Sequence, residues 1–278
     1  MATSTLEARA VRQFDALVER GELFWEPNTP RLVEVGKVKF LFRIAPSFKK
    51  KPIQSANDPG RSKDLHVFSD TDPDFVIDFV GPSHKLILNK YCIVRPQYIL
   101  HTTYFTPQAD HLNEADFAAA WEVLGRLNSR HVIIFNCGAI AGSSLGHKHL
   151  QVLPRPMGED GFELFPDALG IVDESNTVKD LPFRQAAKRL SANPNTAELV
   201  EVYELLKKIS GIEPTAPHNV LLVEEWMFVI ARSCGKQGSL GAGATNMSGW
   251  PWVNSEEEVS EWIKRGPMEL LCGFGIRS

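Results

Sequence analysis

Apolar positions along this 278-residue chain fall into two periods, helical and alternating, and the switches between them set out its elements. Leu6, Ala10, Phe14 and Leu17 recur at helical spacing in "STLEARAVRQFDALVERG", which Ser4 and Glu7 open as a capping box and Gly21 closes. Alternation across Val33 to Ile44 predicts a strand that runs into a lysine cluster, and the polar residues 53–72 predict loop. "HKLILNKYCIVRPQYILHTTYF" predicts two strands separated by Arg95-Pro96-Gln97. In "LNEADFAAAWEVLGRLNS", Phe117, Trp121, Leu124 and Leu127 share one helix face. "HVIIFNCG" predicts a short buried strand, followed by a glycine, alanine and serine loop and then by "HKHLQVLP", a strand ended by Pro154. Residues 157–190 are expected to be irregular. A helix capped by Asn195 and stopped by Gly211, a strand–turn–strand in "NVLLVEEWMFVIARS" and a helix near "SEEEVSEWIKRG" complete the pattern.

Strands arrive mostly as adjacent pairs, with helices between groups of them. That order predicts an α+β fold with a largely antiparallel sheet and flanking helices, not a doubly wound parallel one. No repeat, low-complexity tract or boundary divides the chain, so a single domain is expected over 1–278, with the N-terminal helix in 1–30. No GxGxxG follows a strand and no GxxxxGK[ST] is present, which removes the Rossmann and P-loop readings.

Composition adds limits. Hydrophobic residues at 43% and charged residues at 23% are the balance of a globular protein. A net charge of −4 gives no basic field for nucleic acid or an anionic membrane, so local donors must hold any anionic ligand. Cys92, Cys137, Cys234 and Cys272 are dispersed without a CxxC, against both disulfide stapling and a cysteine-based zinc site. The amphipathic first helix is unlike a signal peptide and no apolar run is long enough to cross a bilayer, so cytoplasm is the expected location.

The chemistry concentrates in "HKHLQ". On a strand, His147, His149 and Gln151 point to one face, about 7 Å from one to the next, while Lys148, Leu150 and Val152 face the other. A neutral imidazole is a nucleophile available near pH 7. Its attack on phosphorus would give a phosphoramidate. The preceding "NCGAIAGSSLG" offers backbone N–H groups that can approach phosphate oxygens, with Ser143 and Ser144 adding hydroxyl donors. Two histidines two residues apart could instead bind a metal, but no third ligand of obvious type is adjacent.

Asn136 and the run Gly142-Ser143-Ser144-Leu145-Gly146-His147-Lys148-His149-Leu150-Gln151 resemble the His-x-His-x-Gln branch of the histidine-triad superfamily. "HKLILNKYCIVRPQYILHTTYFTPQ" is similar to the segment before this motif in diadenosine tetraphosphate phosphorylases, also called ATP adenylyltransferases. "NVLLVEEWMFVIARS" resembles their C-terminal strand pair. The resemblance implies a histidine-triad-like fold and cleavage of diadenosine tetraphosphate by inorganic phosphate to ATP and ADP through an adenylylated histidine. Adenosine phosphosulfate is a second candidate substrate.

The same resemblance assigns roles. His149 would be the nucleophile and His147 an orienting partner. Gln151 stands where hydrolytic relatives carry a third histidine; a carboxamide hydrogen-bonds a phosphoryl group but moves no proton, which suits transfer to phosphate over hydrolysis. Asn136, Gly142, Ser143, Ser144 and Leu145 would contact phosphates and sugar, and Asn89 with Lys90 matches a family Asn-Lys pair. One of Lys49, Lys50 and Lys51, with Lys51 favoured, would reach a distal phosphate. Thr245, Asn246 and Met247 take the place of a glycine- and alanine-rich segment, although the following "GWPWVN" departs from the family pattern and makes 236–278 a divergent C-terminal part. No tightly bound cofactor or metal site is implied, and Mg2+ enters only as the nucleotide's counter-ion. The implied partners are small molecules: dinucleoside polyphosphate, ATP, ADP and phosphate. Oligomeric state is not indicated. Two alternatives stay open. A galactose-1-phosphate uridylyltransferase-like enzyme shares His-x-His-x-Gln, although such relatives usually carry proline where this chain has Lys148, and also metal-binding Cys/His groups. The other alternative is a catalytically idle nucleotide-binding protein.

Overall fold

The first helix, α1 (Leu6–Glu19), buries Ala10, Phe14 and Leu17, the stripe its spacing predicts. The computed structural model describes residues 5–45, 53–65, 67–68, 70–158 and 161–278. Ser4 therefore lies outside the described residues, and the predicted capping box is replaced. Thr5 caps the helix by accepting from the Ala8 N–H, while Glu7 turns away to accept from the backbone of Asn128 and Ser129.

The predicted strand across 33–44 is a hairpin, β1 (Arg31–Val35) and β2 (Val38–Ile44). Alternation alone cannot reveal a two-residue turn inside one apolar run; the signal was Gly36, which takes a left-handed φ of 62°. Next come β3 (Val76–Val80), β4 (His84–Leu88), β5 (Tyr98–Thr102), α2 (Glu114–Arg126), β6 (His131–Asn136) and β7 (His149–Pro154). The supposedly irregular 157–190 holds α3 (Phe165–Leu169), the short pair β8 (Ile171–Val172) and β9 (Thr177–Val178), and β10 (Gln185–Arg189). Sequence reading misses β10 because Gln185, Lys188 and Arg189 interrupt its apolar content. The predicted α4 (Thr196–Ile209) is capped by Asn195. After it follow β11 (His218–Leu222), β12 (Trp226–Ala231), β13 (Lys236–Gln237), β14 (Leu240–Gly241), α5 (Ala244–Met247), β15 (Trp252–Val253), the expected α6 (Glu256–Arg265) and an unforeseen α7 (Pro267–Phe274).

Eight strands form one antiparallel sheet in the order β10-β12-β11-β6-β7-β5-β4-β3. The fold is thus α+β with a large antiparallel sheet and flanking helices. Helices α1, α2 and α4 cover one face, where Ile133, Phe135, Leu150 and Val152 join their apolar sides. On the other face, Val132, Ile134 and Leu153 pack with the β1–β2 hairpin, α6 and α7. Beyond β7 that second face carries a small separate cluster, Phe68, Ile87 and Ile99. Strand alternation sends His149 and Gln151 to this face, between the two clusters. No helix among the described residues is long and apolar enough to cross a membrane.

Candidate active site

Beyond Gly146, His147 bridges Pro107 just ahead of β7, which begins at His149; both histidines are buried and Gln151 is half-buried. The alternation expected of the motif holds, with Leu150 and Val152 in the core beneath the helices. His149 Nδ1 lies 2.8 Å from the carbonyl oxygen of His147. A carbonyl only accepts, so Nδ1 carries the proton and the lone pair of the neutral ring sits on Nε2. His147 is held differently. Its Nε2 donates to the Thr102 carbonyl at 2.9 Å, with the Thr102 hydroxyl at 3.0 Å. Burial lowers the His147 pKa, which keeps that ring neutral despite its carbonyl partner.

Gln151 has its orientation set from β5's side of the sheet. The Gln97 amide donates to Gln151 Oε1 at 2.8 Å, and Gln97 in turn accepts from the Ile93 N–H at 2.9 Å. With its oxygen accepting from Gln97, Gln151 has its NH2 group left to donate. Gln108 clamps the strands where they diverge: it accepts from the His149 N–H at 2.7 Å and donates to the carbonyls of Asn136 and His149. Phe68 covers the row, its ring centroid 4.3 Å from that of His101, 5.1 Å from His147 and 5.5 Å from His149. His101 pairs with His149 across β5 and β7, and burial pushes its pKa down to about 4. Three imidazoles therefore stand together, one of them from a neighbouring strand that no motif connects to the other two.

The loop is fixed by a strap of residues 53–62. Arg61 donates to the carbonyls of Gln54, Ser143 and Leu145, and the Gln54 amide oxygen accepts from the Gly146 N–H at 2.8 Å. Gly146 is required by this approach: a Cβ there would stand 2.3 Å from the Arg61 backbone. The loop's other flank is held by Arg232, fully buried, whose guanidinium donates to the carbonyls of Ala141, Cys234, Ala242 and Phe274 and to Asn219 Oδ1. Asn219 passes this hold to Asn136, donating to its Oδ1 at 2.8 Å; the Ala244 N–H donates to the same oxygen at 2.9 Å.

These elements enclose a cavity of about 560 Å³, lined by Asn136, Gly142, Ser143, Ser144 and Gln151 on one side and by Thr245, Asn246, Trp252, Asn254 and Glu258 on another. That volume is in the range of small-molecule sites. A smaller cavity adjoins it, lined by Asn89, Lys90, Leu145 and His149, and the two share Ser144 and Gln151. Most of the residues the motif singles out thus converge. Met247 does not: the turn of α5 that sends Thr245 and Asn246 to the cavity drives Met247 into the core, fully buried. His147 lines neither cavity, and Lys51, with Lys49 and Lys50, lies outside the described residues. Gln54, Arg61, Gln97, Gln108, Asn219 and Arg232 were missed, since each is a lone polar residue whose role depends on contacts far along the chain.

The dispersed cysteines also meet partners unseen in sequence. Ligand atoms of His111, Cys137 and His218 lie within 4.8 Å of one another beneath the helices. There, however, the Lys207 ammonium sits 3.1 Å from His111 Nδ1 and the Tyr203 hydroxyl 2.6 Å from His218 Nε2. Protein donors thus already engage one nitrogen of each ring.

A His-x-His-x-Gln motif under a glycine and serine loop, with Gln151 shared between the small cavity at His149 and the larger one beside it, has the layout of a nucleotidyltransferase. The Ap4A phosphorylase N-terminal domain model matches residues 1–168 and the ATP adenylyltransferase C-terminal domain model matches residues 179–277. The chain belongs to the Ap4A phosphorylase (ATP adenylyltransferase) family. It is 28% identical over 269 residues to diadenosine 5',5'''-P1,P4-tetraphosphate phosphorylase 2 of Saccharomyces cerevisiae, covering 83% of this chain and 82% of that protein. The fold is also that of yeast Ap4A phosphorylase Apa2 in its complexes with AMP and with Ap4A. Both match at a TM-score of 0.81 and 24% identity, over all of this chain and 98% and 99% of those chains.

Proposed function

We propose that the chain cleaves diadenosine tetraphosphate with inorganic phosphate, giving ATP and ADP by way of an adenylyl group carried on His149 Nε2. The observation that carries this reading is the bond from His149 Nδ1 to the His147 carbonyl, which directs the ring's lone pair to Nε2 at the cavity wall. In the first step the Nε2–P bond forms at an α-phosphorus and the P–O bond to the remaining triphosphate breaks, releasing ATP. In the second a phosphate oxygen attacks that phosphorus, the N–P bond breaks, and ADP leaves with His149 restored. His147 acts as an orienting group rather than a reactant. Gln151 donates its NH2 to a nonbridging oxygen, and the Gly142 to Leu145 loop with Asn136 supplies donors to the charge developing there. Thr245 and Asn246 reach the same nucleotide from the opposite wall, Asn89 and Lys90 bind along the adjoining cavity, and Lys51 takes a distal phosphate.

Mg2+ serves in this reading as the nucleotide's counter-ion. The partners are the small molecules of the reaction, with adenosine phosphosulfate a second substrate because it carries the same adenylyl group on another anionic leaving group. Cytoplasm is the proposed location, and the chain is assigned to the histidine-triad superfamily.

The test is product analysis by anion exchange after incubation with diadenosine tetraphosphate, with and without phosphate. ATP plus ADP formed only with phosphate is expected, and ATP plus AMP formed regardless of phosphate would make the enzyme a hydrolase. Gln151→His would place a proton acceptor beside the adenylyl group, and the AMP-to-ADP ratio should rise about tenfold, a modest share of what a positioned base supplies. An unchanged ratio would remove Gln151 from the choice of acceptor.

A further inference from the structure

Between the two motif histidines, Lys148 points into the protein. It is 1% exposed, as is its partner Asp116, whose Oδ2 lies 3.0 Å from Lys148 Nζ. The ammonium also donates to the His111 carbonyl at 2.9 Å. Asp116 Oδ1 lies 3.0 Å from Nε2 of His84, itself 1% exposed, and the Ser83 hydroxyl lies 3.0 Å from His84 Nδ1. Asp116 further accepts from the Asn113 N–H at 2.9 Å, so the counter-ion of Lys148 is also the third residue of the capping box that opens α2. Along this face of β7 the neighbouring positions are Leu150 and Val152, which fill their space without any charge.

Stability does not account for such a pair. Two desolvated charges gain little over an apolar pair of the same volume, and replacing a buried pair with hydrophobic residues is often neutral or stabilising. Geometry accounts for it better. The carbonyl that accepts from His149 Nδ1 belongs to the peptide joining His147 to Lys148. The nitrogen of that peptide donates to the Thr106 carbonyl at 2.7 Å, and the Lys148 side chain anchors its Cα from below through Asp116. A tilt of this one peptide plane would carry the acceptor away from Nδ1 and turn the imidazole.

We propose that Lys148 is a positioning residue for the nucleotidyl transfer. Held by Asp116 and the α2 capping box, it fixes the peptide plane whose carbonyl aims the His149 ring. The inference rests on His149 as the adenylyl carrier. Displacements of about 1 Å at a reacting centre lower rates by about a hundredfold, while ground-state binding, spread over two cavities, depends little on one ring's tilt.

The test compares wild type, Lys148→Met and the double variant Lys148→Met/Asp116→Asn. The double variant removes the stranded carboxylate but keeps an acceptor for the Asn113 N–H. Three quantities are read: Tm, KM for diadenosine tetraphosphate, and the single-turnover rate at which adenine-labelled substrate leaves label on the protein, quenched in alkaline denaturant. The single variant should keep KM within about twofold and label at least about tenfold more slowly. The double variant should regain Tm and still label at least about tenfold more slowly than wild type. A double variant whose labelling recovers together with Tm, or a single variant labelling at the wild-type rate, would overturn the positioning role. A wild-type protein that turns over substrate but takes no label would instead overturn the adenylyl-histidine reading on which it rests.

Discussion

His149→Ala should abolish turnover, lowering kcat by at least about 10⁴-fold, the order lost when a covalent nucleophile is removed. The same variant should take up no covalent AMP from labelled substrate, yet still bind nucleotide, because the cavity walls formed by the loop, the strap and α5 do not depend on this ring. His147→Ala should be less severe, about a hundredfold, since its Nε2 is engaged by Thr102 and the proposed reaction gives it only an orienting part. The order of the two effects is diagnostic. Were His147→Ala the more damaging, or were His149→Ala to keep more than about 1% of activity, the two roles would have to be exchanged or abandoned.

Arg232→Met should produce the largest loss of stability. Burial pushes its guanidinium down to about 9, no carboxylate among the described residues pairs with it, and its charge is met by carbonyl and carboxamide dipoles. Methionine would fill much of the stem's volume. It would leave the Cys234 and Ala242 carbonyls and Asn219 Oδ1 without the donor that meets them here. At about 1–3 kcal/mol for each buried acceptor stranded, and with partial relaxation, the net loss should be about 4 kcal/mol. In a chain of this size that lowers Tm by roughly 10 °C. Arg232→Lys should recover little, because one ammonium cannot reach acceptors on the loop, on the 234–242 segment and at the end of α7 together. A Tm within about 3 °C of wild type would show that this knot holds nothing essential. KM should rise with the loss of stability, since Asn219 and Asn136 pass the same hold to the cavity wall.

The sheet and the histidine row were legible because they rest on short-range period. His147, His149 and Gln151 share a face by chain geometry alone, and the loop before them announces itself by composition. What supports them was not legible. Gln97 and Gln108 are isolated amides near strand ends, and nothing in a window of ten residues marks one as the partner of Gln151 and the other as a clamp on His149. Residues 53–62 read as polar loop, although Pro59–Ser62 wind into a 3-10 helix, and their value lies in crossing the chain at Gly146, more than eighty positions away. Strand β10 was lost because its polar residues break the apolar run, and Gln185 spends its amide on Val178. Met247 failed in the opposite way. It was placed by proximity to Asn246, and in a single helical turn adjacent residues face different ways. Lys148 was read as the odd polar member of a core-facing trio, and its counter-ion thirty-two positions earlier could not be seen from the motif.

The sheet's strand order has a consequence for how the enzyme comes into being. β6 meets β11 at the middle of the sheet, with Asn136 directly opposite Asn219, and the far wall of the cavity is drawn from residues 235–258. On a ribosome, the apolar edge of β6 must wait for some eighty further residues before β11 arrives to pair with it. Nothing shorter than a chain that extends through Glu258 can close around a nucleotide. A product that stops before residue 235 would therefore display the histidine strand with no chamber to serve, and the site is complete only once the 235–258 wall has been made.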